Sequence, residues 1–239
     1  GDVKNSGTLN MSASVKSSES ALAVGMKLNG FVSGSAVNSG TINLKASGDT
    51  TDDAEVYGFW LDNGLVKVGG AVTNSGSITG TARATKGDAY AAGFWLQDDG
   101  TDVVDVKGSL TNSGTITISA FGADSNSATA TGAYIEGEIS GSFVNSGTMT
   151  LLAQGGAGSN SAYAKGLYVE DDISGTLLNS GTISVTAIEN TNFATAIGVH
   201  VDGVLSGSVT NSGTLKAVAT SGAGSVSASG YKADSMSGT

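Results

Sequence analysis

The chain has 239 residues, a formal net charge of −10, 39% apolar and 13% charged residues, 37 glycines, and neither proline nor cysteine. Such a length suits one domain or one short repeat array. The acidic balance excludes the basic footprint that nucleic acid or an anionic membrane surface requires. The missing cysteines exclude disulfides, thiolate catalysis and cysteine metal sites.

No stretch approaches the 18 or so consecutive apolar residues of a membrane-spanning helix. The chain opens Gly-Asp-Val-Lys with no apolar leader, as expected of a mature or excised fragment of a longer protein.

The first feature met along the chain is a repeat. Asn-Ser-Gly recurs with its asparagine at Asn5, Asn38, Asn74, Asn112, Asn145, Asn179 and Asn211, spaced by 33, 36, 38, 33, 34 and 32 residues. A glycine stands four residues before each asparagine and an alanine eight residues after it (Ala13, Ala46, Ala82, Ala120, Ala153, Ala187, Ala219). The chain therefore divides as a single domain of repeats at about 1–33, 34–69, 70–107, 108–140, 141–174, 175–206 and 207–239.

Three extended segments are expected in each repeat. The first follows Asn-Ser-Gly, where apolar residues alternate with Thr, Ser and Asn, as at Ile42/Leu44, Ile116/Ile118 and Ile183/Val185. That period of two marks a strand with one buried face, and the alanine column is expected to end it at a tight corner. The second has the form Ala-x-Ala-x-Gly-apolar-x-apolar, seen from Ala89 to Leu96 and Ala194 to Val201. Its apolar parity flips at the glycine, which calls for a bulge or a bend. The third is the short Gly-x-apolar-x piece leading into the next Asn-Ser-Gly, such as Gly141 to Val144.

These segments predict an all-β, parallel β-solenoid of about seven coils, roughly 34 residues and three short strands per coil. A two-coil repeat is the second choice, because the halves of the repeat do not resemble each other. No apolar pattern of helical period persists. Stacked coils put like residues over like, so the asparagines should form an amide ladder at a corner. The glycine two residues on is expected to turn the chain in a left-handed conformation. Both ends fall at the same phase of the repeat, so the rod either continues or associates head to tail.

Gly207–Leu215 (GSVTNSGTL), Gly141–Met149 and Gly108–Ile116 resemble the repeats of bacterial autotransporter passengers and related large adhesins. The resemblance covers the whole chain. It implies a right-handed β-helix, secretion across the outer membrane, an extracellular or bacterial cell-surface location, and roles in adhesion, aggregation or display.

Two columns carry the candidate sites. Two residues after the second-segment glycine stand Lys27, Trp60, Trp95, Tyr134, Tyr168, His200 and Lys232. Alternation points them outward, together with Tyr57, Tyr90 and Tyr163. An exposed aromatic stripe would grip a glycan or a protein of a host or neighbouring cell surface; stacking that braces the sheet is the competing reading. Two residues further stand Asn29, Asp62, Gln97, Glu136, Glu170, Asp202 and Asp234. Calcium held by Asp98 and Asp99, or by Glu170, Asp171 and Asp172, would relieve like-charge repulsion there; solvated corner charge is the alternative. No other metal or cofactor is indicated.

His200 is the lone histidine and Arg83 the lone arginine, too few for a catalytic constellation. Asn10-Met-Ser12 fits the glycosylation pattern by residue type alone. The expected function is a non-enzymatic surface module, an adhesin or passenger stalk showing its aromatic face. A self-assembling filament or surface-layer unit comes second, and a polysaccharide-acting solenoid enzyme third.

Overall fold

The computed structural model describes residues 1–16, 19–49, 53–62, 66–97, 104–123, 127–136, 138–158, 161–170, 175–205 and 207–236. They form a parallel β-solenoid, one coil per repeat. Three sheets, each of seven strands in the order of the repeats, run along the rod. The first sheet holds the short strands that end at the asparagines, from Val3–Asn5 through Ala36–Asn38 to Val209–Asn211. The second runs from Thr8–Val15 to Thr214–Ser221 and the third from Ala21–Leu28 to Val226–Met236. Register is like over like, with Asn38 paired to Asn74, Ala82 to Ala120 and Trp95 to Tyr134, and it shifts only after Val201 in the last pair of the third sheet.

The second-sheet strands are built by simple alternation. Across Thr41–Gly48, Ile42, Leu44, Ala46 and Gly48 face inward and Thr41, Asn43, Lys45 and Ser47 outward. The alanine column lies in the core, with Ala46, Ala82, Ala120, Ala153 and Ala187 no more than 2% exposed. It does not end the strand as expected, because pairing continues past it, as from Ala82↔Ala120 to Ala84↔Gly122.

In the third sheet the glycine drops out of the pairing, which steps from Ala92↔Tyr57 to Phe94↔Phe59. The parity flip is therefore a bend at an unpaired glycine, repeated in register from coil to coil. Its glycine is required by close packing: a Cβ on Gly58 would lie 2.5 Å from the Gly93 carbonyl oxygen and 2.8 Å from Ile78 Cγ2. The vacancy is filled by the apolar residue of the second sheet one coil on.

A second expectation is corrected. The glycine of Asn-Ser-Gly does not adopt a left-handed conformation; among the described residues only Gly30 has a positive φ. Its smallness serves the stacking instead. The Ser39 and Gly40 amides both donate to the Asn5 carbonyl below, and Thr41 N donates to Gly7 O at 2.9 Å. A Cβ on Gly40 would sit 2.0 Å from that same Gly7 oxygen, and the figure repeats at Gly76, Gly114, Gly147, Gly181 and Gly213. The three strands expected per coil are present, and one short element comes in addition to them. A further four-stranded sheet joins Phe31–Val32, Lys67–Val68, Asp105–Val106 and Glu138–Ile139. In the sixth repeat one long strand, Phe193–Leu205, runs through the corresponding region.

The asparagines form the expected ladder. Each Nδ2 donates to the Oδ1 of the next coil at 2.7–2.9 Å, from Asn5→Asn38 to Asn179→Asn211. Asn38, Asn74, Asn112 and Asn145 are wholly buried. A buried amide left without its partner costs about 1–3 kcal/mol.

Asn145→Ala strands Asn112 Nδ2 and Asn179 Oδ1 together, so a loss of about 2–4 kcal/mol in urea unfolding is expected. Gly147→Ala places a methyl against the Gly114 carbonyl and should cost about 1–3 kcal/mol. An unchanged urea midpoint in both variants would contradict this account of the corner.

Candidate functional site

The outward residues of the third sheet lie one above another about 4.8 Å apart. That spacing is close to the thickness of a ring pair, so aromatic residues placed there must meet. Trp95 and Tyr134 stack at 4.0 Å between centroids and 15° between planes. Tyr134 meets Tyr168 at 5.6 Å, tilted, and Tyr168 stacks on His200 at 5.0 Å. Tyr57, from a neighbouring outward position, sits 5.1 Å from both Trp60 and Trp95.

Cations close the ladder. Lys27 Nζ lies 3.8 Å over the Trp60 ring, and Lys232 Nζ is 2.7 Å from His200 Nε2. Lys165 lies 3.2 Å over the Tyr168 ring. Burial pulls its ammonium below the usual lysine range, against the opposing pull of Asp202 and Glu170.

The sequence expectation of an exposed stripe is met unevenly. Trp60, Trp95, Tyr134 and Tyr168 are half-buried, as are Tyr90 and Tyr163, whereas Tyr57 and His200 are each 6% exposed. The rings cover one another, and their faces are largely spent on that contact.

The acidic column meets the polar ends of the rings. Within one strand, residues two apart share a face, so Trp95 Nε1 donates to Gln97 Oε1 at 3.1 Å and Tyr134 Oη to Glu136 Oε2 at 3.2 Å. The same donors reach one coil on. Tyr134 Oη lies 2.6 Å from Glu170 Oε2, and Tyr168 Oη lies 2.9 Å from Glu170 Oε1 and 2.7 Å from Asp202 Oδ2. Asp202 Oδ1 is 2.7 Å from His200 Nε2, and Lys27 pairs with Asp62 at 2.5 Å.

A phenol has one proton. Tyr134 and Tyr168 therefore each serve two carboxylates by alternation, and Glu170 receives both rings. Burial acts to raise the Asp202 carboxyl, but Tyr168, His200, Lys232 and Lys165 outweigh it and hold the pKa below the usual value. Burial, reinforced by the neighbouring carboxylates, holds Tyr57, Tyr134 and Tyr168 protonated far above the ordinary phenol range, and Tyr90 is pushed up to about 12.

Asp98, Asp99, Asp171 and Asp172, read as calcium candidates, lie outside the described residues. Glu170, the remaining candidate, directs both oxygens at phenols. Among the described residues no group of three His, Cys, Asp or Glu side chains is placed to hold a metal ion. Lys165 is the participant that sequence reasoning missed. Its signal was its outward position one residue before Gly166, where the other repeats carry Val24, Tyr57, Ala92, Thr131, Ile197 and Ser229.

Compared with known protein families, curated proteins and solved structures, the chain matches none.

Each of these phenols has a folded-state pKa above its unfolded value near 10. The stability they contribute is therefore complete below about pH 10 and is lost as pH rises through the folded values. Tyr134→Phe is expected to leave the phenolate absorbance of the folded protein unchanged at about pH 10.5, because Tyr134 is still protonated there. A drop in absorbance by one tyrosine equivalent, with native circular dichroism, would contradict the ring and carboxylate ladder.

Proposed function

We propose that this chain is a non-enzymatic stalk of a bacterial surface adhesin of the autotransporter-passenger kind, working outside the cell. The observation that supports it most is the uninterrupted stacking of like columns through all seven repeats. Such a rod is stabilised by neighbour contacts alone, needs no cofactor to hold its shape, and sets its faces at fixed heights. The Gly-Ser-x-x-Asn-Ser-Gly repeats agree with it. On this reading the ring ladder has two uses. It braces the third sheet, and its half-exposed ring edges meet a glycan or protein on another surface.

Trp95 touches Tyr57 and Tyr134, and each aromatic pair is worth about 1 kcal/mol. Trp95→Ala should thus lower stability by about 2 kcal/mol, or roughly 4–8 °C in Tm for a chain of this size. Beads coated with the folded variant should also attach less to bacterial and host-cell surfaces. Attachment equal to the parent's, with the stability loss present, would leave the ladder as a brace alone and remove it as a binding face.

The amide ladder favours a second reading, end-to-end assembly of the rod. Its bonds all point one way, from Nδ2 of one coil to Oδ1 of the next, so two rods would join only head to tail. In the first coil Met11, on the inward-facing column, is 40% exposed, and in the last coil Leu215 is only half-covered. Residues 1–239 should then scatter light as a mass that grows with concentration, and Met11→Lys should abolish the growth. A constant monomeric mass at all concentrations would end this reading.

A further inference from the structure

The outer face of the second sheet is chemically unlike the rest of the molecule. The chain carries 21 acidic residues, yet among the described residues none points outward from this sheet. Its one strand carboxylate, Glu189, is turned in and 1% exposed. The outward positions of the first three coils are Thr, Asn and Ser, together with Lys45 and Arg83. Further along, the outward positions are again mostly Thr and Ser, with Phe121, Leu152, Ile188 and Val218 among them and Lys216 in the last coil.

Two adjoining hollows lie on this polar end of the face. One is lined by Asn10, Ser12, Asn43, Lys45, Thr79 and Thr81, and the other adds Ser14, Ser47 and Arg83. Lys45 stands opposite Thr81, and Arg83 opposite Ser47, so the two cations are diagonal neighbours about 7–8 Å apart at the backbone. Both are exposed. Neither has an ion-pair partner among the described residues, whereas Lys4, Lys27, Lys107 and Lys232 all lie against carboxylates. Arg83 rests on the Phe121 ring, 3.9 Å away, which leaves the guanidinium edge free to take a carboxylate or sulfate by two parallel bonds.

We infer that this groove is a binding site for an acidic polysaccharide, one whose sugars carry carboxylate or sulfate groups. Lys45 and Arg83 take two anionic groups on the chain, and Thr81 and Ser47 beside them exchange hydrogen bonds with sugar hydroxyls. Two cations on a molecule of net charge −10 are too few for the dense charge of nucleic acid. They suit a polymer whose charges are spaced by neutral hydroxyls. The site lies on a different sheet from the ring ladder and does not depend on that ladder binding anything.

The test uses residues 1–239 in affinity electrophoresis and calorimetry with heparin, polygalacturonate, neutral dextran and double-stranded DNA. Heparin and polygalacturonate should bind and dextran and DNA should not, with log affinity falling against log salt at a slope of roughly −2, for two released counterions. Lys45→Thr with Arg83→Thr, which keeps a β-favouring residue at both positions, should weaken binding at least tenfold. Lys45→Arg, which keeps the charge, and Lys4→Thr, on the first sheet, should bind as the parent does. Equal retention by dextran or DNA would overturn the inference. So would undiminished binding by the double threonine variant with native circular dichroism, or a failure of both acidic polymers to bind at low salt.

Discussion

The whole structure depends on parallel, in-register stacking, in which each residue must tolerate its own counterpart about 4.8 Å above and below. Few groups tolerate that when buried. An asparagine does, because its amide donates on one side and accepts on the other, and the ladder from Asn5 to Asn211 closes every buried amide in the interior of the rod. A glycine does where two backbones nearly touch, as Gly147 does over the Gly114 carbonyl. Apolar side chains tolerate it anywhere, which is why Phe59 and Phe94 stack at 5.2 Å in the apolar core.

Charge is harder to stack. Like charges directly opposite each other destabilise a sheet, and an acidic column two residues past the rings would repel itself along the rod. Neutral Gln97 separates Asp62 from Glu136 in that column. Where Glu136, Glu170 and Asp202 do follow one another, Tyr134 and Tyr168 insert phenol protons between them. The ring column and the acidic column thus function as one unit. Trp95, Tyr134 and Tyr168 gain hydrogen-bond acceptors for their polar ends, and Glu136, Glu170 and Asp202 gain donors that separate them.

The same rule divides the surface into faces of different chemistry. Acids collect on the third sheet and at the corners beside it, where lysines and phenols answer them. Among the described residues the second sheet has no outward carboxylate, and Lys45 and Arg83 have no ion-pair partner. A solenoid cannot relieve such an imbalance by refolding, because the outward direction of each residue is fixed by the inward direction of its neighbours.

The sequence by itself determined the coil length, the seven repeats, the three main sheets and the amide ladder. Each is a periodic property, and period two along a strand or about 34 along the chain survives in one dimension. It also placed Trp95, Tyr134, Tyr168 and Glu170 on the outside of one sheet. Only the tertiary structure decided what they do there. That Tyr57 slips between Trp60 and Trp95, that Glu170 serves two phenols, and that His200 is nearly covered all depend on contacts between coils, which strand parity does not encode. The two-residue strands of the fourth sheet are too short to show a period. The Asn-Ser-Gly glycine was misread for a related reason: its local neighbours suggested a left-handed turn, but the atom that forbids a side chain belongs to the coil below.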